Sequence, residues 1–361
     1  MSNAYFISSP YKTCSYLRCL LPSLHGGYGT SITSLYRNIK KHDVLLSEIM
    51  NSDIIVFHRP ETIDAQKTAI ELKRRGKKIV FDNDDTFKMN KGNPFYAKNE
   101  TTEKLYGRNV ENHSRLVDNF IRNADAAFTT NEFLADEYRK INDNVFVLPN
   151  CIDTDDWLEP KRNEGDKVRI GFVGSTTYSN DFKNIKNYII ELDERDDVQI
   201  VIFGLDDKED RKNNPIVTDV YNHQYKFWDD LKNLEHMPWS SMADYSETLN
   251  NLKLDILLIP GQDNYFNRCK SNVKFLEAAM CEIPVVAQGF TTNDSPYDKD
   301  INGKNGILIK DNSKWKEEVD RLIKDKELRR RMGKEAKRYA LKHYNIENNV
   351  CKWEEAFNKI I

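Results

Sequence analysis

Short apolar, β-branched runs alternate with stretches of helical period along nearly the whole chain. Runs at 5–8, 53–58, 78–82, 124–129 and 145–149 read as strands, and the segments 63–75, 103–122 and 132–141 between them repeat apolar residues at helical spacing. The pattern pauses at 150–167, a polar, turn-rich stretch with Pro160 and Gly165, and this reads as a linker and hinge. It then restarts. Strands are expected at 168–173, 198–203, 255–259, 284–287 and 307–309, and helices at 182–194, 242–252, 273–281, 313–324 and 327–343, with a last amphipathic helix at 346–361. Strand–helix alternation of this kind builds parallel sheets from βαβ units. The expected organisation is therefore two α/β halves, residues 1–160 and 161–343, with 344–361 crossing back to brace the first. In open parallel sheets ligands bind beyond the carboxyl ends of the strands, so two such sheets facing each other enclose a cleft between them.

The chain has 361 residues, enough for two cores. Hydrophobic residues make up 39% and charged residues 31%, which excludes a largely disordered chain. Apolar runs such as 254–260 are far too short for a membrane span, and the first 13 residues lack the pattern of a signal peptide. A soluble, cytoplasmic protein is expected. Six scattered cysteines without a CxxC pair or a nearby His cluster predict reduced thiols and no zinc site. The net charge is −3, yet residues 1–150 hold 21 basic against 18 acidic side chains while the remainder holds 33 against 39. That asymmetry reads either as ordinary surface variation or as a first half that meets an anionic acceptor or a membrane surface.

The segment 267–287, NRCKSNVKFLEAAMCEIPVVA, carries the most chemistry. Ser271 reads as a helix N-cap, with Asn272 beside it, Lys270 just ahead and Lys274 one turn inside. A helix start flanked by lysines suits a diphosphate. Glu277, a further turn along, is placed to accept hydrogen bonds from ribose hydroxyls. The bland alternative is a plain amphipathic helix with surface Lys and Glu.

KFLEAAMCEIPVVA resembles the donor-binding signature of retaining glycosyltransferases of the GT-B fold, the large family four ("group 1") class. Glu277 matches its second glutamate, which holds the nucleotide ribose, and Pro284–Ala287 match the strand that follows. Two departures stand out: Cys269 falls where the family has its first glutamate, and Glu282 falls where it usually has glycine. VRIGFVGSTT resembles the first strand and turn of the donor domain, which would bring Gly174, Ser175 and Thr176 to the phosphates; a structural turn is the rival reading. HMPW places Trp239 against the nucleobase or as a cap on the core. GGYGTSITSLYRNIKK resembles the glycine-rich loop, with Gly27 near the donor and a long helix from Thr30. His58 ends a strand, as a sugar-contacting or a core histidine, and Asp84 and Asp85 of DNDD are expected near the sugar or acceptor.

The resemblance implies two Rossmann-like domains with parallel sheets facing a central cleft. It further implies transfer of a hexose or pentose from a nucleoside diphosphate sugar with retention of configuration, using Lys270 and Lys274 on the leaving diphosphate, with no metal and no cofactor. Expected acceptors are a cell-surface glycan, a lipid-linked sugar or, given a Lys- and Asn-rich composition that suits a phage, a modified DNA base. No stable membrane insertion is expected. The missing first glutamate keeps open a non-catalytic sugar-nucleotide-binding protein, and an epimerase is a further enzyme alternative.

Overall fold

The computed structural model describes residues 3–8, 13–32, 43–86, 110–174, 181–204 and 226–361. The strands of the first half are β1 (Ala4–Ser8), β2 (Gly29–Ile32), β3 (Ile54–His58), β4 (Lys78–Asp82), β5 (Ala126–Thr129) and β6 (Val145–Val147). Its helices are α1 (Leu21–Gly26, entered through a π-helical turn, Tyr16–Leu20), α2 (Asp43–Asn51), α3 (Ile63–Arg74), α4 (Val110–Asn123) and α5 (Glu132–Arg139). The second half holds β7 (Val168–Gly174), β8 (Val198–Gly204), β9 (Leu234–Met237), β10 (Ile256–Ile259), β11 (Val285–Gln288) and β12 (Ile307–Ile309). Its helices are α6 (Lys186–Asp193), α7 (Tyr245–Asn251), α8 (Tyr265–Arg268), α9 (Val273–Met280), α10 (Trp315–Lys324) and α11 (Lys326–Tyr344), followed by α12 (Ile346–Asn349) and α13 (Cys351–Asn358).

Two six-stranded sheets result, ordered β2-β1-β3-β4-β5-β6 and β12-β11-β10-β7-β8-β9, and every pairing is parallel. Both faces of each sheet are covered, which is why the central strands read as unbroken apolar runs. In β3, Ile54 and Val56 face one core and Ile55 and Phe57 the other. In β10, Ile256 and Leu258 face one core and Leu257 and Ile259 the other. The first sheet is closed on one face by α3, α4 and α5 and on the other by α1 and the end of the chain, with Trp353, Phe357 and Ile360 packed against Phe6, Val80 and Phe128. The chain passes between the halves at two adjacent points, where Ile152 and Ile346 exchange backbone hydrogen bonds with Tyr344 and Ile152 at 2.9 Å each.

The structure departs from the sequence reading in several places. Thr30 does not open a helix; the β-branched TSI run forms β2 beside β1. Gly27, with φ 69°, ends α1 as its left-handed cap. Residues 33–42 and 103–109, where helix was also expected, lie outside the described residues. The stretch read as a polar linker opens with buried Asn150, Cys151 and Ile152. Further on, Lys161 N donates to Asn250 Oδ1 at 2.8 Å and Arg162 pairs with Glu282. Glu282 itself holds φ 53°, a left-handed conformation that explains why glycine suits that position. Among the described residues no helix is long and apolar enough to cross a membrane.

Candidate functional site

The register of the first sheet sets one side of the site. His58 pairs with Asp82 across β3 and β4, so both side chains stand at the carboxyl edge. His58 Nδ1 lies 2.9 Å from Asp82 Oδ1, and an acceptor there fixes the proton on Nδ1. Arg18, from the π-helical turn, clasps the same carboxylate through Nε at 3.1 Å and Nη2 at 2.6 Å. All three side chains are fully buried. Burial pushes the Asp82 carboxyl up, but the Arg18 guanidinium and the His58 hydrogen bond outweigh it and hold the carboxyl below its ordinary range. His58 is thus tied into a buried ion-pair cluster.

Beyond Asp82 the chain makes a largely buried turn. Asn83 donates to the Asp85 carbonyl and accepts from Asp84 N at 3.0 Å, which shapes the loop. Asp84 lies 3.7 Å from Arg59, itself held at φ 50° just past His58. Asp85 is only half-buried at the residue level, yet its carboxyl is pushed up to about 6 by burial, against the pull of Arg59 and Lys270 and with the push of Asp84.

The second side is α9 and the turn ahead of it. The helix starts at Asn272 without a side-chain cap. Ser271, the expected cap, instead accepts a hydrogen bond from Asn150 Nδ2 at 3.0 Å, and Asn272 turns inward to Asp300 at 2.7 Å. Both residues therefore serve packing at the helix start. Lys270 lies 3.5 Å from Asp181 and 4.7 Å above the Phe266 ring, and burial lowers its ammonium against the pull of Asp181 and Asp85. Burial, then the like charge of Lys270, brings Lys274 down to about 7. Burial likewise pushes Glu277 up to about 7, opposed by the Tyr245 hydroxyl, which donates to its Oε2 at 2.8 Å, and by Lys274.

Tyr245 belongs to an aromatic group that ends at the surface. Phe203 stacks with Tyr245 at 5.4 Å and with Trp239 at 5.9 Å between ring centres, and Trp239 keeps 47% of its surface exposed. The indole lies over the ends of β7 and β8, where Gly174 pairs with Gly204. A Cβ on Gly204, at φ 91°, would stand 2.5 Å from the Gly174 carbonyl and 2.8 Å from the indole, so only glycine fits under the ring.

The carboxyl-edge loops of the two sheets meet. Asn131, after β5, donates to the Lys270 carbonyl at 2.8 Å, and the Phe133 and Tyr265 rings lie 5.7 Å apart. Asn150 contacts both sides, with Oδ1 3.4 Å from Arg18 and Nδ2 on Ser271. Among the residues expected from the sequence, Asp84, Asp85, Lys270, Lys274, Glu277, Trp239 and Gly174 line these facing edges. Gly27 does not: it precedes Gly29, which pairs with Tyr5 at the opposite, amino edge. Ser175 and Thr176 lie outside the described residues.

Cys269, at the position of the family's first glutamate, is fully buried among first-half core residues such as Phe81, Leu134 and Tyr138. Burial pushes its thiol far up. A carboxylate at this position would be enclosed rather than aimed at a ligand. Arg18, Arg59, Asn150 and Asp181 escaped the sequence reading. Arg18 had a signal, a single cation inside the apolar run YLRCLL; the others had none. Among the described residues no three His, Cys, Asp or Glu side chains gather as a metal site.

Comparison with known proteins agrees with this fold. Residues 186–355 match the model of a family described as glycosyl transferase-like. No curated protein matches the chain. Among solved structures, Anabaena HepE in complex with UDP and glucose superimposes with a TM-score of 0.68 at 11% identity, over 99% of this chain and 100% of HepE. Sucrose-phosphate synthase from Thermosynechococcus elongatus gives 0.67 at 11% identity, over 99% of both chains. A TarM variant from S. aureus, in complex with fondaparinux, α-GlcNAc-glycerol and UDP, gives 0.57 at 13% identity over 87% of this chain, which spans 59% of TarM. The chain has the GT-B fold, and its residues 186–355 are similar to the glycosyl transferase-like family.

Proposed function

We propose that this protein transfers a hexose or pentose from a nucleoside diphosphate sugar to a hydroxyl of a glycan or lipid-linked sugar, with retention and without a metal. The observation that carries this reading is the buried group of Lys270, in the turn ahead of α9, with Lys274 and Glu277 on the helix, Lys270 lying within electrostatic reach of Asp85 from the other sheet edge. In this reading the diphosphate lies at the start of α9 against Lys270 and Lys274. Glu277 accepts hydrogen bonds from the ribose, and Trp239 covers the base. The bond from the anomeric carbon to the leaving phosphate oxygen breaks as the acceptor oxygen bonds to the same face. The acceptor proton passes to the departing phosphate, whose growing charge the two lysines stabilise. Asp84 and Asp85 position the sugar or the acceptor, and His58 braces their strand edge through Asp82. UDP in HepE and TarM makes UDP-sugars the first donors to test.

The test is a panel of nucleotide sugars incubated with the purified protein and glycan acceptors, with EDTA present and absent. Nucleotide release that depends on the acceptor, persists in EDTA, and yields a product of unchanged anomeric configuration supports the reading. Binding of a nucleotide sugar without any turnover favours a non-catalytic binding protein, and failure of every nucleotide sugar to raise the melting temperature removes the donor site itself.

A further inference from the structure

The solvent face of α3 is unusual for a soluble helix. Its buried face is made by Ala65, Ala69 and Leu72. The opposite face carries Ile63, Lys67, Ile70 and Arg74, spaced four, three and four residues apart, so they form one continuous stripe along the helix. Ile63 is 61% exposed and Ile70 49%. A single exposed isoleucine needs no explanation, but two alternating with cations on one stripe do. Neither Lys67 nor Arg74 has an ion-pair partner among the described residues. Beside the stripe, between α3 and α4, lies an open pocket of about 370 Å³ lined by Ala69, Ile70, Phe120 and Ala124 with Lys73 and Arg74.

The charge balance points to the same place. Residues 61–78 hold six basic and three acidic side chains; Lys73 and Arg75 are paired with Asp125 and Glu71 and Lys77 and Lys78 lie past the helix, which leaves Lys67 and Arg74 as the cations of the stripe. A basic face alone suits any polyanion. The isoleucines discriminate, because a nucleic-acid backbone gains nothing from exposed aliphatic side chains, whereas a lipid surface takes both the cations at its head groups and the isoleucines below them. We propose that the solvent face of α3 docks this protein on an anionic lipid bilayer. The helix lies on the surface, with Ile63 and Ile70 among the upper acyl chains and Lys67 and Arg74 at the phosphates. It opens five residues past His58, so its first turn lies toward the same carboxyl edge of the sheet as the proposed transfer site. The inference does not depend on the identity of the transfer reaction.

Flotation of the full-length protein with vesicles tests this, comparing phosphatidylcholine alone with phosphatidylcholine containing phosphatidylglycerol. Binding is expected to the anionic vesicles only, to weaken with salt, and to drop about tenfold in both I63S/I70S and K67E/R74E. All four positions are exposed on the solvent face, so melting temperature and nucleotide binding stay at wild-type values and report intact folding. Equal binding to neutral vesicles, absence of binding, or wild-type partition of either double variant overturns the proposal. Duplex DNA serves as a rival ligand: retention that is lost in K67E/R74E but unchanged in I63S/I70S assigns the face to nucleic acid and also overturns it.

Discussion

Two buried charge clusters, one at the carboxyl edge of each sheet, differ in how completely they are satisfied. Asp82 receives a two-pronged guanidinium and an imidazole, and its carboxyl stays below the ordinary range. Glu277 receives one hydroxyl, and its carboxyl rises to about 7 while Lys274 falls to about 7. A buried ion whose lone pairs are filled gains nothing from a ligand, whereas an underfilled one is stabilised when a ligand brings the missing partners. The first cluster therefore holds the fold, and the second is the one that, in the proposed reading, a substrate completes. This difference yields predictions that attack it from either end.

The largest effect is expected at Arg18. Arg18→Ala leaves the Asp82 carboxylate buried with His58 alone, and removal of one partner from a buried pair costs about 3–5 kcal/mol. Urea unfolding should show that loss, while a loss under about 1 kcal/mol would mean the cluster is not closed. Asp85→Asn acts on catalysis instead: transfer should fall about a hundredfold with donor affinity nearly unchanged, as expected of a carboxylate acting at the reacting end. Isothermal titration with a nucleotide sugar, beside the rate, separates the two readouts.

At Glu277 the signs invert relative to Arg18. Glu277→Gln should weaken the donor by about 1.5–3 kcal/mol, roughly tenfold to more than a hundredfold, because charge-assisted bonds to the ribose are lost. Its stability should hold or rise above pH 7. A carboxyl raised from 4.5 to about 7 loses stability as pH climbs through that window, and the amide carries no such penalty. A variant that keeps donor affinity but melts early would make Glu277 a structural residue like Asp82.

The same pair predicts a pH optimum for binding. Lys274 must carry its proton to meet a diphosphate, and that form is lost as pH rises through about 7. Glu277 must lose its proton to accept from ribose, and that form is lost as pH falls through about 7. Affinity for a nucleotide sugar should therefore peak near neutrality and decline by up to about tenfold per pH unit on either side. Lys274→Met should flatten the alkaline limb and Glu277→Gln the acid limb. A profile that is flat in the wild-type protein excludes the pair from the donor site.

Legibility in the sequence follows the range of the forces involved. The sheets were readable because strands buried on both faces must be apolar throughout, as IIVFH and ILLI are. The edge strand β2 was not, since TSI follows the three glycines of GGYG and its pairing with β1 is a tertiary choice. Lys274 and Glu277 stood out as a pair because helical spacing places them on one element, with Lys270 in the turn just ahead of it. Asn150 was hidden for the opposite reason. Its contacts lie more than 120 residues away in both directions, on Arg18 and Ser271, and an asparagine among turn residues looks like part of a loop. Ser271 misled because an N-cap motif is local, while the hydrogen bond that captures its hydroxyl is not.

The smallest effect is expected at Trp239, and it decides between base stacking and core capping. The indole leans on Phe203 and Gly204 from outside, with nearly half its surface exposed at 47%. Trp239→Ala therefore removes little buried area, and stability should drop by about 1 kcal/mol or less. If a base stacks on the exposed face, the same variant loses about 0.5–1.5 kcal/mol of donor affinity, a factor of roughly 2 to 13. That loss should be equal for the nucleoside diphosphate and the full nucleotide sugar, because the contact touches only the base. Trp239→Phe should restore most of it, since a smaller ring still offers a π-face. Nucleotide titration of the two variants, read by calorimetry because the wild-type indole is itself a fluorophore, gives both numbers. Lower melting temperature with undiminished nucleotide affinity would make Trp239 a lid on the Phe203–Tyr245 stack, and the base would then lie elsewhere along the facing edges.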